Sequence, residues 1–148
     1  MVEYVIKGII KRAISVYIQL KRRMKILIVD DNPRVRELMR TFLKDVTEKF
    51  CECDDGTEAL ASFADFHPDL VLMDWEMKQK DGLTATREIV SIYPEANILL
   101  VTQFDDDELK SAAQEAGAKG FILKDDLQSI HQFCITAENR INPEFPGK

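Results

Sequence analysis

Four short apolar runs punctuate the chain: Ile26-Leu27-Ile28-Val29, Leu70-Val71-Leu72-Met73, Ile98-Leu99-Leu100-Val101 and Phe121-Ile122-Leu123. Each is too short for a helix, and none alternates between apolar and polar positions. Strands read this way when both faces of a parallel sheet are covered. A fifth segment, Phe50-Cys51-Glu52-Cys53, does alternate. It suits an edge strand with one face less buried.

Helical spacing fills the intervals. After Asn32-Pro33, the residues Val35, Leu38, Met39, Phe42, Leu43 and Val46 share one helical face. Asn32 is the expected N-cap, and Pro33 suits the first helical position. Ala59, Leu60, Phe63 and Phe66 follow Asp55-Gly56, and Leu83, Thr86, Ile89 and Val90 follow Asp81-Gly82. Asp105 is expected to cap a helix carrying Leu109, Ala112, Ala113 and Ala116, which Gly117 stops. Leu127, Ile130, Cys134, Ala137 and Ile141 form the last stripe. The order is therefore βαβαβαβαβα, an α/β fold with a five-stranded parallel sheet and right-handed crossovers. The expected form is doubly wound and flavodoxin-like, with strand order 2-1-3-4-5. The tail over 141–148, with two prolines and a glycine, reads as an extended end.

Residues 1–23 have a different pattern. Val2, Ile6, Ile9, Ala13, Val16 and Leu20 repeat at alternating steps of four and three, the spacing of a helical seam. Val5, Ile10, Ile14 and Tyr17 broaden the stripe. Lys7, Lys11 and Arg12 lie on the other face, and Lys21, Arg22 and Arg23 close the segment. Three readings stay open: an amphipathic helix on an anionic membrane surface, a helix that pairs with a partner or with itself, or a misassigned start.

Charge separates the same two regions. The chain of 148 residues has a net charge of −6. Residues 1–23 hold six Lys/Arg and one Glu, a net +5, which leaves −11 for the rest. The main body is thus poorly suited to nucleic acid, whose phosphates need Lys and Arg, and better suited to a cation. Cys51, Cys53 and Cys134 lack the paired spacing of a zinc site and cannot form a disulfide framework. His67 and His131 are too few for a His-based metal site or relay. No apolar run approaches a membrane span, and Lys7, Lys11 and Arg12 interrupt any signal sequence. The expected location is the cytoplasm.

In an open α/β sheet, ligands bind at the carboxyl ends of the strands. The first apolar run ends in Asp30-Asp31, the next in Asp74, the next in Thr102 and the last in Lys124. Three carboxylates sharing one pocket repel each other and raise one another's pKa; a divalent cation removes that penalty. Oxygen ligands with room for water suit Mg²⁺. Lys124 adds a mobile positive charge, and Thr102 adds a hydroxyl donor. Together these are the parts for phosphoryl transfer, in which an Asp carboxylate can itself be the nucleophile.

The stretches ILIVDDN over 26–32, PDLVLMDWEM with Asp81-Gly82, LLVTQF over 99–104 and AGAKGFILKDD over 116–126 resemble the receiver domain of two-component response regulators. Residues Gln103–Asp107 and Lys124–Leu127 resemble the LuxR-type subgroup. The resemblance implies a phosphoacceptor at Asp74 and Mg²⁺ held by Asp31, Asp74, the backbone carbonyl of Glu76 and, through water, Asp30. It implies that Lys124 pairs with the phosphoryl group, that Thr102 turns inward to it, and that Phe121 is an aromatic switch. The partners it implies are a sensor histidine kinase or phosphotransfer protein and a downstream protein target, with dimerisation open. Two positions depart from the pattern. Lys78 stands where Pro is usual after Met77, and Gln103 replaces a small residue at the phosphoryl entrance.

The expected organisation is an extension over 1–23, a receiver over 24–140 and a tail over 141–148. Too few residues follow the last helix for a helix-turn-helix, which leaves two origins, a stand-alone receiver or a chain that lost its output domain. The first is expected, and no enzyme beyond its own phosphorylation and slow dephosphorylation. Two alternatives are weaker. An Asp-nucleophile phosphatase would need a second Asp two positions after Asp74, where Glu76 stands. A binding module without phosphorylation would not need Asp31, Asp74, Thr102 and Lys124 together.

Overall fold

The structure is a computed structural model that describes residues 1–21 and 23–135. Arg22, the stripe positions Ala137 and Ile141, and the tail lie outside the described residues. Helix α1 (Val2–Lys21) precedes strand β1 (Met24–Val29), α2 (Pro33–Leu43), β2 (Thr47–Cys53), α3 (Ala59–Phe66) and β3 (Leu70–Asp74). The chain continues through α4 (Gly82–Ile92), β4 (Ile98–Thr102), α5 (Asp107–Glu115), β5 (Gly120–Leu123), a short 3-10 turn (Lys124–Asp126) and α6 (Gln128–Ile135).

The five strands form one parallel sheet in the order β2-β1-β3-β4-β5, as the sequence predicts. Its apolar runs show no alternation because helices cover both faces. Ile26, Ile28, Leu70, Leu72, Leu99 and Val101 point to one side, where α2 supplies Met39 and Leu43 and α6 supplies Ile130 and Phe133. Leu27, Val29, Val71, Met73, Ile98 and Leu100 point to the other, against Phe63 of α3, Ile89 of α4 and Ala113 of α5. Successive strand residues thus alternate between two cores rather than between core and water. On the edge strand β2, Phe50 packs toward the first core and Cys51 and Cys53 toward the second. Glu52 stays exposed and pairs with Arg36 and Arg40 of α2.

Local chemistry sets the helix ends. Asn32 accepts the Arg34 amide at 3.0 Å with Pro33 at the first position, and Asp81 accepts the Thr84 amide at 2.7 Å. Asp105 is not the cap of α5. Asp106 takes that role, accepting the amides of Glu108 and Leu109, while Asp105 pairs with Lys110 Nζ at 2.7 Å. The stripe of α2 also stops before Val46: the helix closes at Leu43, and Val46 enters the same core from the turn ahead of β2. His67 ends α3 in the left-handed region, with φ of 50°, its amide donating to the Phe63 carbonyl. His131 reaches from α6 to Asp45, with Nε2 2.9 Å from Oδ2.

Residues 1–17 are all exposed, among them the stripe positions Val2, Ile6, Ile9, Ala13 and Val16 of α1. Among the described residues, no helix is long and apolar enough to cross a membrane.

Candidate functional site

Strand register builds the site. Val29 lies opposite Met73, and Asp74 opposite Val101, so the residues leaving β1 and β3 emerge side by side. Thr102 pairs with Leu123, which places Lys124 beside the end of β4. Four separate stretches of sequence thereby deliver Asp30, Asp31, Asp74, Thr102 and Lys124 to one edge of the sheet.

Asp30, Asp74 and Thr102 are buried, with exposures of 0%, 1% and 2%, while Asp31 is partly open to solvent. Carboxylate oxygens of Asp30, Asp31 and Asp74 all lie within 4.8 Å of one another. Lys124 Nζ sits 3.0 Å from Asp74 Oδ1 and 3.6 Å from Asp30 Oδ2. Asp30 Oδ1 accepts the Asn32 amide at 2.8 Å, and Arg36 donates to the Asp30 backbone carbonyl at 2.6 Å. Two buried oxygens, Asp30 Oδ2 and Asp74 Oδ2, have no hydrogen-bond partner. A buried carboxylate oxygen without a donor is costly, so this pocket is built for a further positive or donor group.

The electrostatics agree. Burial pushes the Asp74 carboxyl up to about 6; the Asp30 charge adds to this, and Lys124 opposes it. Burial likewise raises the Asp30 pKa, against the Asn32 amide and Lys124. Burial works against the Lys124 ammonium, but the hydrogen bond to Asp74 and the charge of Asp30 outweigh it, and its pKa lies above the usual lysine value. The donor set is oxygen only, Lys124 offsets only part of its charge, and Asp31 is partly open to water. Those properties fit Mg²⁺.

Residues 26–134 match the family described as the response regulator receiver domain. The chain belongs to that family. It is 40% identical over 104 residues to the transcriptional regulatory protein YhcZ of Bacillus subtilis, covering 69% of this chain and 49% of YhcZ. It is 37% identical over 100 residues to the chemotaxis protein CheY of Halobacterium salinarum, covering 68% of this chain and 83% of CheY. Among solved structures, a LuxR-family two-component response regulator from an Aurantimonas species superposes with a TM-score of 0.75 at 28% identity, covering 83% of this chain and 89% of that one. The receiver domain of NarL from Mycobacterium tuberculosis gives 0.69 at 26% identity, covering 78% and 98%. The chain thus spans about half the length of YhcZ and most of CheY. Receiver domains accept phosphoryl groups in two-component signalling and bind Mg²⁺ at an acidic pocket, and this receiver has such a pocket.

Of the side chains expected at the site, Asp30, Asp31, Asp74 and Lys124 come together, and Thr102 ends the adjacent strand β4. Glu76 lies in the exposed loop after β3, as do Lys78 and, after β4, Gln103. Thr102 Oγ1 accepts the Phe104 amide at 3.2 Å. Phe121 is buried, its ring edge-on to Trp75 at 6.4 Å and 73°. Lys110 Nζ lies 6.0 Å from the Phe121 ring centroid. A cavity of about 440 Å³ lies at the other end of the strands, beside Met24, Leu70 and Asn97, away from the acidic cluster.

Sequence reasoning missed Asp55. This buried residue accepts the amides of Thr57 at 2.9 Å, Gln79 at 3.0 Å and Lys80 at 3.2 Å. It therefore ties the loop after β2 to the loop that carries Glu76. Burial would raise its pKa, but these amides hold it below the usual carboxylate range. Lys80 Nζ also pairs with Glu88 at 2.8 Å, fastening the same loop to α4. These bonds fix the loop that carries Glu76 and Lys78. Asp55→Ala frees amides of that loop and is expected to cost about 2 kcal/mol of stability. It should also weaken Mg²⁺ binding, with Asp55→Asn intermediate. Urea unfolding at a series of Mg²⁺ concentrations measures both effects.

Proposed function

We propose that Asp74 is the phosphoacceptor of this receiver, with a phosphohistidine on a sensor kinase or phosphotransfer protein as donor. One observation carries the reading: Asp74 Oδ1 is held by Lys124, while its buried Oδ2 has no partner. One oxygen is oriented and the other is free to attack. The Asp74 oxygen forms the new O–P bond, the P–N bond to the donor imidazole breaks, and that imidazole keeps the electron pair and takes up a proton. Lys124 then pairs with the phosphoryl oxygens, and the Thr102 hydroxyl donates to one of them. Asp31, Asp74, the Glu76 carbonyl and, through water, Asp30 would hold Mg²⁺, which neutralises phosphoryl charge when bound.

The switch would run from Thr102 to Phe121, changing the surface of α5, β5 and α6 that a downstream protein reads. Turnover is limited to the chain's own phosphorylation and slow dephosphorylation, so it is a signalling protein rather than a conventional enzyme. The receiver unit would occupy 24–140. Cys51, Cys53 and Cys134 carry thiols rather than disulfides, which fits the cytoplasm.

Incubation with Mg²⁺ and acetyl phosphate tests this. Mass spectrometry should show one added phosphoryl group, which maps to Asp74 and vanishes when the metal is chelated. An adduct on another residue, or none from either acetyl phosphate or a phosphorylated donor protein, would overturn the assignment.

A further inference from the structure

Helix α1 has no role in the phosphoryl site, and its chemistry is unlike that of the domain it precedes. Val5, Ile6, Ile9, Ile10 and Val16 are 50–61% exposed. At 100° per residue, these side chains with Val2 fall within one arc of about 140°, which the exposed Ile14 extends to about 180°, while Tyr4 falls on the opposite face. Lys11 lies opposite the middle of that arc, with Lys7 and Ser15 beside it and Arg12 at the border. Exposed apolar surface of this extent, rimmed by charge, marks an interaction face.

We propose that α1 lies along the surface of an anionic lipid bilayer. Its apolar arc would sit in the boundary between headgroups and acyl chains, and Lys7, Lys11 and Arg12 would meet the lipid phosphates and carboxylates. Charge complementarity selects this occupant. Positive charge is concentrated in the segment that carries the apolar face: residues 1–23 carry +5 against −11 for the rest of the chain. A spanning helix is ruled out for α1 by its hydropathy. Pairing with a second copy fits poorly. A two-helix seam is a narrow stripe flanked by charges of opposite sign. Here the stripe is broad and Glu3 is the only acid in residues 1–23, so a second copy would set Lys and Arg against Lys and Arg. The acidic body would be repelled by the same lipid surface, so attachment would rest on α1 alone and weaken with salt.

Sedimentation of the full chain with extruded vesicles tests the proposal. Vesicles of phosphatidylcholine mixed with phosphatidylserine should retain the protein at least about tenfold more strongly than phosphatidylcholine alone, and less so as salt rises. The double variant Ile6→Asp, Ile9→Asp should remain in the supernatant. Lys7→Glu with Lys11→Glu should lose the preference for anionic lipid. All four positions are exposed, so the receiver fold should survive, which an unchanged thermal transition would verify. Equal retention by both vesicle types, or none by either, would overturn the proposal. So would a chain that ignores vesicles but dimerises through α1, with the dimer abolished by Ile9→Asp.

Discussion

Asp74→Asn is expected to take no phosphoryl group and, in metal-free buffer at pH 7, to unfold at a higher urea concentration than the wild-type chain. An Asn lacks the carboxylate nucleophile, so the adduct is lost completely. The gain in stability follows from linkage. Asp74 titrates near 6 in the folded chain, because burial and the Asp30 charge disfavour its ionised form. An Asp in an unfolded chain titrates near 3.9. Between these values the folded state binds more protons than the unfolded state, so stability falls as pH rises from about 4 through about 6. Two pKa units correspond to about 3 kcal/mol lost above that window. Asn avoids the cost but gives Lys124 a neutral partner, so a net gain of about 1–2 kcal/mol is expected at pH 7. Wild-type stability should therefore decline across this pH range, and the variant's should decline less, with Asp30 still contributing. Mg²⁺ should recover stability in the wild type by mass action and recover less in the variant. Urea denaturation at several pH values, with and without Mg²⁺, reads all of this. A variant no more stable than wild type at pH 7 would mean that Lys124 already compensates the buried charge.

The second large effect is expected at Gly82. A Cβ at this position would lie 2.0 Å from the Asp74 carbonyl oxygen and 2.9 Å from both the Asp74 carbonyl carbon and Met73 Cγ. The obstacle is backbone, so no rotamer change relieves it. Gly82 is the first residue of α4, and its amide donates to the Trp75 carbonyl at 2.9 Å. Fitting a methyl group there means moving either α4 or the backbone of Asp74 itself. Gly82→Ala should cost about 3 kcal/mol, at the upper end of overpacking, and should cut phosphorylation in the protein that still folds. Gly8 is the control. Beyond its chain neighbours and the backbone of its own helix, nothing lies within 4 Å of a Cβ built there, so Gly8→Ala in α1 should leave the unfolding midpoint of the receiver unchanged. Paired circular dichroism melts and acetyl phosphate assays separate the two outcomes.

The four apolar runs revealed the sheet because a strand covered on both faces needs apolar residues at every position. That demand is local and visible in sequence. The site was legible for a related reason: β1, β3, β4 and β5 are adjacent and parallel, so the residue after each run reaches the same edge. Asp55 stayed hidden because its function is a contact across 24 residues, from its carboxylate to the Gln79 amide. Its neighbour Gly56 made the pair look like an ordinary turn. The cap of α5 was misplaced by one residue because Asp105, Asp106 and Asp107 are chemically equivalent in sequence. Only the extended backbone of Asp106, with φ of −134° and ψ of 128°, points its carboxylate at the free amides. Val46 matched the helical period of α2 by coincidence of direction, since it reaches the same core from outside the helix.

Trp75 is the only tryptophan in the chain. It follows Asp74 directly and meets the ring of Phe121 edge-on. Its emission therefore samples both the phosphoacceptor and the Phe121 end of the proposed switch without any label. Metal binding beside Asp74 and movement of Phe121 should each alter that signal, so stopped-flow fluorescence can time the two events separately in the native chain.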